Sequence, residues 1–144
     1  MNIYFFDTET TGNTGKDYLC QLAIKELGVA EPIINATFKP IIPIPIECTM
    51  VHGITNKAVA DSPYFDKSSE YKTIKALFED PNNLFIAHNA AFDVQILHND
   101  GIVPANTICT FKVIRILDEE GKFPMHKLQY LRYALDMELD APAY

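Results

Sequence analysis

A chain of 144 residues has the length of one domain and can bury a hydrophobic core without disulfide bonds or a structural metal. Its composition, 48% hydrophobic with a formal net charge of −7, is that of an ordinary globular protein. The negative charge argues against a broad electrostatic grip on duplex nucleic acid, which needs clustered lysine and arginine side chains. We therefore expect residues 1–144 to form one domain.

Membrane and secretion signals are missing from the sequence. The longest apolar runs are too short to cross a bilayer, and no basic segment precedes the first apolar residues as it would in a signal peptide. The three cysteines, Cys20, Cys48 and Cys109, lack the CxxC spacing of a zinc or redox motif. We expect free thiols, no membrane partner and a cytoplasmic location.

The first half of the chain is predicted to form three strands. Residues 2–6, 19–27 and 33–38 are short apolar or alternating runs, separated by turn-forming glycine, asparagine and proline. The following segment, PIIPIPIE at 40–47, is predicted to be an extended connector, because proline donates no hydrogen bond to a sheet ladder.

The second half alternates between helical and strand patterns. One helical turn is predicted at 56–61 and a helix at 67–79, followed by a strand at 84–87 that leads into a helix through 97. A further strand at 107–111 precedes helices at 112–120 and 126–135. This order predicts an α/β fold with a mixed sheet flanked by helices.

Two acidic residues follow the first apolar run, in the stretch FFDTETTG at 5–12. Asp7 and Glu9 are two residues apart, so in a strand they project to the same side, at the point where that strand is predicted to end. Ligands of α/β sheets normally bind at the carboxyl ends of the strands. A simple polar turn leaving the strand explains this stretch equally well when it is taken alone.

A third acid lies in LFIAHNAAFDVQIL, residues 84–97. Asp93 shares a helical stripe with Ala90 and Leu97, and it should therefore face the sheet. A carboxylate near a helix N-terminus is favourable, but this does not explain the inward direction, since burying an unpaired carboxylate is costly. A bound cation explains it. Three converging carboxylates would form an oxygen-rich site suited to Mg²⁺ or Mn²⁺.

Three short motifs occur in the order found in one enzyme family. FDTETTG at 6–12, VHGIT at 51–55 and AHNAAFD at 87–93 resemble the motifs of the DEDD 3′-to-5′ exonucleases, which include the proofreading epsilon subunit of bacterial DNA polymerase III. The resemblance covers nearly the whole chain. It implies a ribonuclease H-like fold with a mixed five-stranded sheet.

The resemblance also implies a chemistry. Asp7, Glu9 and Asp93 would hold two divalent ions, Mg²⁺ or Mn²⁺, which hydrolyse single-stranded DNA or RNA from its 3′ end and release nucleoside 5′-monophosphates. A DNA polymerase is the implied protein partner. Substrate contacts are implied for six residues: Thr10, Gly12, His52, Ile54, Asn89 and Phe92.

Three histidine and aromatic positions have simpler explanations as well. His52 could cap the turn that follows it, and Phe92 could belong to the core. His88 is expected to be fixed by hydrogen bonds beside the site rather than to serve as a metal ligand or base.

The family's third motif, a histidine followed five residues later by an aspartate, has no counterpart after Asp93. In the family this histidine is the general base, a role typically worth about 10² to 10⁴ in rate. Asp136 and Asp140 are not assigned to the motif, because they come too early and lack the histidine.

We therefore expect a domain without its C-terminal helix, with feeble or no activity and with exposed apolar surface that favours homodimers. Two alternatives stay open: a catalytically silent module that binds nucleic-acid ends or a polymerase, and a generic α/β domain with accidental motif matches.

Overall fold

The computed structural model describes residues 1–137 and contains a mixed five-stranded sheet with the order β3-β2-β1-β4-β5. The strands are β1 (Asn2–Thr10), β2 (Leu19–Glu26), β3 (Ile34–Thr37), β4 (Asn83–Ala87) and β5 (Thr107–Cys109). The first three pair in antiparallel fashion, whereas β4 is parallel to both β1 and β5. The predicted mixed sheet of five strands is confirmed.

Five α-helices lie within the described residues. They are α1 (Ile46–His52), α2 (Tyr71–Glu79), α3 (Ala90–Asn99), α4 (Thr110–Leu117) and α5 (Leu128–Ala134). A single turn of 3-10 helix, Phe65–Lys67, precedes α2. None of these helices is long and apolar enough to cross a bilayer.

Several predicted boundaries were wrong. The proline-rich connector ends at Pro45, because this residue is the N-cap of α1, a position that needs no helical hydrogen bond from its nitrogen. The helix predicted from 67 begins at Tyr71, after the 3-10 turn. The last strand ends at Cys109, so that Thr110 already belongs to α4.

Aromatic side chains form the core between the sheet and the helices α2 and α3. Phe85 stacks on Phe78, with ring centroids 4.1 Å apart, and on Tyr4 at 5.2 Å. Phe6 meets the edge of Phe78 at 5.2 Å. Because alternate residues of a strand face opposite sides, burying Tyr4 and Phe6 directs Phe5 and the residues in register with it to the other face of the sheet.

That other face is only partly covered. Phe5 is 41% exposed and Ile108 is 39% exposed. A groove of about 790 Å³ runs along this face from Asp7 to Leu128 at the start of α5. Apolar surface is therefore exposed here, as the sequence predicts, within the part of the chain that the structure describes.

Candidate active site

Strand β1 continues beyond its last pairing with β4. The parallel ladder ends at Phe5 and Ile86, whereas β1 stays paired with β2 as far as Thr10. Asp7 and Glu9 consequently lie within the strand and not past its end, which corrects the prediction, and they share the face of Phe5. The crevice that opens between β1 and β4 is the position at which α/β sheets usually bind ligands.

Asp93 lies beside the part of β1 that extends beyond its last pairing with β4. It lies in the first turn of α3 and is 2% exposed, so its predicted inward direction is confirmed. Its Oδ1 accepts a hydrogen bond from the Thr8 amide at 3.1 Å and one from the Thr8 hydroxyl at 2.7 Å. The carboxylate thus satisfies a strand amide that has no β4 partner.

Sequence reasoning missed Thr8, although one signal was available. It stands between two acids on the alternating pattern of β1, and that pattern places it on the buried face. A buried threonine needs a hydrogen-bond partner, and in this fold the partner is Asp93.

The pKa values of all three carboxylates are raised, and the charge of Asp7 contributes to the rise at Glu9 and at Asp93. Burial raises the pKa of Glu9 to about 7, and the charges of Asp7 and Asp93 add to the rise. Burial raises the pKa of Asp93 to about 6, although its hydrogen bonds from Thr8 oppose the change. Loss of water contact also raises the pKa of Asp7. A bound cation would relieve this repulsion.

The donor chemistry of this cluster fits a hard divalent cation. Carboxylate oxygens suit Mg²⁺ and Mn²⁺, and the bonds from Thr8 engage Oδ1 of Asp93, leaving Oδ2 for other contacts. In residues 1–137, however, no three acidic, histidine or cysteine side chains are already spaced as a metal-binding group. Asp7, Glu9 and Asp93 are the residues that would hold an ion, and their side chains would have to move to do so.

The second motif is bonded directly to the first. His52 Nδ1 accepts a hydrogen bond from the Ile54 amide at 3.0 Å, so its Nε2 carries the proton and donates to the Thr10 carbonyl at 3.2 Å. The Thr10 hydroxyl donates in turn to the carbonyl of Gly12 at 2.6 Å. His52 does not cap the following turn, because the Thr55 hydroxyl accepts the amide hydrogen bond there. Substrate contact by these residues stays a prediction.

The loop between β1 and β2 is held by Asp17, another residue that sequence reasoning missed. Its Oδ1 accepts a hydrogen bond from the Thr11 hydroxyl at 2.9 Å. Its Oδ2 accepts hydrogen bonds from the amide and the hydroxyl of Thr14, both at 2.7 Å. Burial would raise the pKa of Asp17, but these hydrogen bonds lower it overall. The Asn99 side chain ties this loop to α3 by donating to the Asp17 carbonyl at 3.0 Å.

We expect Gly12→Ala to destabilise the protein by about 1–3 kcal/mol, the usual effect of overpacking a filled site. A Cβ at this position would lie 2.6 Å from both carboxylate oxygens of Asp17, which could not yield without losing its bonds to the loop. Urea unfolding measures the effect. Gly15→Ala is the matched control, because its Cβ would meet nothing within 4 Å. Equal effects of the two substitutions would contradict this account of the loop.

The motif AHNAAFD, residues 87–93, lines the groove from the side of α3. Asn89 is the N-cap of α3 and adopts a left-handed conformation with φ of 68°, which asparagine tolerates better than most residues. It lines the groove together with Asp7. Phe92 is half-buried and packs against the main core, as its simpler explanation requires.

His88 is fixed at both ring nitrogens, as expected. Nε2 donates to the His126 carbonyl at 2.7 Å, and Nδ1 therefore accepts from the Thr110 hydroxyl at 3.0 Å. With both nitrogens engaged, His88 positions the segment before α5 and is not available as a metal ligand. Lys127 and Gln129, which sequence reasoning did not single out, follow this segment and line the groove beside Asp7.

Comparison with known proteins agrees with the motifs. A family model described as RNase_T, exonuclease, matches residues 4–141. The DNA polymerase III subunit epsilon-like protein of Rhodobacter capsulatus is 35% identical over an alignment 110 residues long that covers 67% of this chain and 14% of that protein. The DNA polymerase III subunit epsilon of Buchnera aphidicola is 34% identical over an alignment 113 residues long that covers 69% of this chain and 45% of that protein. The chain thus spans less than half the length of both relatives.

Solved structures share the fold over almost the whole chain. Exonuclease X in complex with 5′ overhanging duplex DNA superposes with a TM-score of 0.73 and 25% identity, covering 97% of this chain and 76% of that one. Exonuclease I from Methylocaldum szegediense gives a TM-score of 0.77 at 19% identity, covering 99% of this chain and 37% of that one, and supports the fold alone. With its motifs in order and residues 4–141 matched, the chain belongs to the RNase_T exonuclease family.

Proposed function

We propose that this domain is a metal-dependent 3′-to-5′ exonuclease that hydrolyses single-stranded DNA or RNA ends to nucleoside 5′-monophosphates. The observation that carries the proposal is the buried Asp93 carboxylate, anchored to Thr8 beside Asp7 and Glu9. Mutually repelling acids destabilise a fold unless a cation binds them. Membership of an exonuclease family supports a catalytic role for that cation.

The residues of this chain have distinct parts in the proposed reaction. Asp7, Glu9 and Asp93 would hold two divalent ions, whose chemistry would be to activate a water and to stabilise the leaving oxygen. Asp7 and Glu9 present their carboxylates from the open face of β1, and Asp93 approaches from α3. Thr8 holds Asp93 in one orientation, which reduces the reorganisation needed during the reaction.

The 3′-terminal nucleotide would lie between the first two motifs and α3. The loop held by Asp17 and the bond between His52 and Thr10 give this site a rigid wall. Ile54 and Phe92 offer apolar surface to a base. Stacking of this kind tolerates any base, as removal of successive nucleotides requires.

The general base is the weak point of the proposed chemistry. His88 is engaged at both nitrogens, and His126 pairs with Asp118 at 2.9 Å. Asp136 follows α5 with φ of 51°, and Asp140 lies outside the described residues. We therefore propose that residues 1–144 form one exonuclease domain of low activity, since a general base contributes about 10² to 10⁴ in rate.

The partners of this domain are proposed from its relatives and its surface. Similarity to DNA polymerase III epsilon proteins supports association with a DNA polymerase. The exposed groove along Phe5 supports a homodimer as a further assembly. Three free cysteines among the described residues fit the reducing conditions of the cytoplasm, where we place the protein.

Digestion of single-stranded DNA and RNA labelled at the 5′ end tests the proposal. With Mn²⁺ present, we expect a ladder that shortens from the 3′ end, and with EDTA we expect none. Cleavage starting at the 5′ end, or cleavage insensitive to EDTA, would contradict it. Retention of labelled ends on the protein without any cleavage in Mn²⁺ would favour the silent binding module instead.

A further inference from the structure

A second cavity, of about 300 Å³, shares no residue with the groove at Asp7. It lies between the start of β2, the connector after β3, the 3-10 turn and the end of α3. Its lining combines aromatic rings with charged side chains: Tyr18, Tyr64, Phe65 and Tyr71, with Lys39, Asp66 and Asp100. Nothing in the proposed exonuclease reaction uses this cavity.

Asp100 is placed unfavourably for a carboxylate. It is the C-cap of α3, at the helix end where the dipole favours cations. Its Oδ2 is buried and has no hydrogen-bond partner among residues 1–137. The nearby Tyr71 hydroxyl donates to the main-chain carbonyl of Asp100 and not to its carboxylate. Burial raises the pKa of Asp100 to about 6, and the charge of Asp66 contributes. Leaving a buried carboxylate unpaired costs free energy. A cation bound in the cavity would supply the partner that Asp100 lacks.

The positive charges nearby do not supply that partner. Lys39 holds its ammonium 6.0 Å from the centroid of the Tyr64 ring. Lys67 pairs with Asp66 at 3.1 Å, but both side chains are at least half exposed, and such pairs contribute little. With one lysine and two aspartates in its lining, the cavity has a net charge of −1.

The walls indicate which kind of cation would fit. Aromatic faces attract organic cations and pack against aliphatic chains. The lining of this cavity contains two acidic side chains and no histidine or cysteine. An ammonium or guanidinium group could pair with Asp100 once its carboxylate, whose Oδ2 is buried in this structure, turns toward the cavity, while the stem lies against Tyr18 and Tyr71.

We propose that this cavity binds a primary ammonium or guanidinium group on an aliphatic stem, with Asp100 as its anion and the tyrosine rings as its walls. The group could belong to a free amine or to a lysine or arginine side chain of a partner protein. The proposal is independent of nuclease activity.

Titration of the full chain with amines tests the proposal, with amide chemical shifts and thermal unfolding as readouts at constant ionic strength. The free probes are putrescine and agmatine, and the peptide probes are blocked alanine-lysine-alanine and alanine-arginine-alanine. We expect the shifts to cluster at Tyr18, Tyr71 and Asp100. Tighter binding of the free probes would identify a small amine as the ligand, and tighter binding of the peptides would identify a partner side chain.

Asp100→Asn keeps the shape of the side chain and should weaken binding at least about tenfold, since a buried charge pair loses its anion. Asp66→Asn should weaken it less and provides a second variant if the first does not fold. Asp61→Asn removes an exposed acid outside the cavity, and Glu9→Gln tests the acids of the candidate active site. Both should leave binding unchanged. Absence of shifts in the cavity, or equal weakening by Asp61→Asn and Asp100→Asn, would overturn the proposal.

Discussion

Asp7→Asn is expected to lower the rate of 3′-terminal nucleotide release by at least about 100-fold, because metal ions supply several kcal/mol of transition-state stabilisation. The substitution removes a proposed ligand charge and keeps the shape of the side chain. Asp7 is exposed to the groove, so the fold should survive the change. Single-turnover digestion of labelled single-stranded DNA in Mn²⁺ measures the rate.

Low activity of the parent chain need not prevent this comparison. Mn²⁺ binding, followed by calorimetry, should weaken in Asp7→Asn even where cleavage is too slow to measure. Asp61→Asn serves as the control, because it removes an exposed acid that lies in a turn of another segment. Unchanged cleavage and unchanged Mn²⁺ affinity in Asp7→Asn would remove Asp7 from the site.

Glu9→Gln is expected to stabilise the metal-free protein near pH 8 and to leave its stability near pH 4 almost unchanged. The pKa of Glu9 is about 7 in the folded protein and 4.5 as its ordinary value. Below about pH 4, Glu9 is protonated in both the folded and the unfolded protein, so it does not lower the free energy of unfolding. Because its pKa is raised on folding, the free energy of unfolding decreases as the pH rises through 7. A tenfold change in proton affinity equals about 1.4 kcal/mol, which sets an upper limit of about 3.5 kcal/mol, and because Glu9 is only partly buried, solvent screening should keep the gain well below that limit.

Urea unfolding at both pH values, with and without Mg²⁺, measures this difference. Mg²⁺ should stabilise the parent chain near pH 8 and should stabilise Glu9→Gln less, because the ion relieves the same repulsion. Gln21→Glu, which places a new acid on β2 opposite Glu9, should have the reverse effect. A variant that is no more stable than the parent chain near pH 8 would show that Glu9 does not strain the fold.

The direction of Asp93 could be predicted because helical periodicity is local. Its position on a stripe with Ala90 and Leu97 requires only the sequence of α3, and all three residues are buried in the structure. The mixed sheet was likewise predictable from the order of apolar runs. These features depend on neighbouring residues in the chain.

The contacts that complete the candidate site could not be predicted in the same way. That Thr8 bonds to Asp93, 85 positions further along the chain, depends on where the pairing of β1 with β4 ends. The bond between His52 and the Thr10 carbonyl depends on how α1 is set against β1. Helix α1 itself was missed because the prolines before it suggested extended chain, although Pro45 is compatible with a helix start.

Strand β1 extends beyond its last pairing with β4, and its alternating side chains belong in turn to the core and to the candidate site. Deleting one residue between Tyr4 and Asp7 would reverse the faces of the residues on one side of the deletion, so that either Tyr4 would leave the core or Asp7 would leave the groove. An insertion in this strand should be as damaging as a deletion, because both reverse the strand faces. The loop that follows Gly12 can change length without reversing either face. Variation from Tyr4 to Thr10 should therefore consist of substitutions alone.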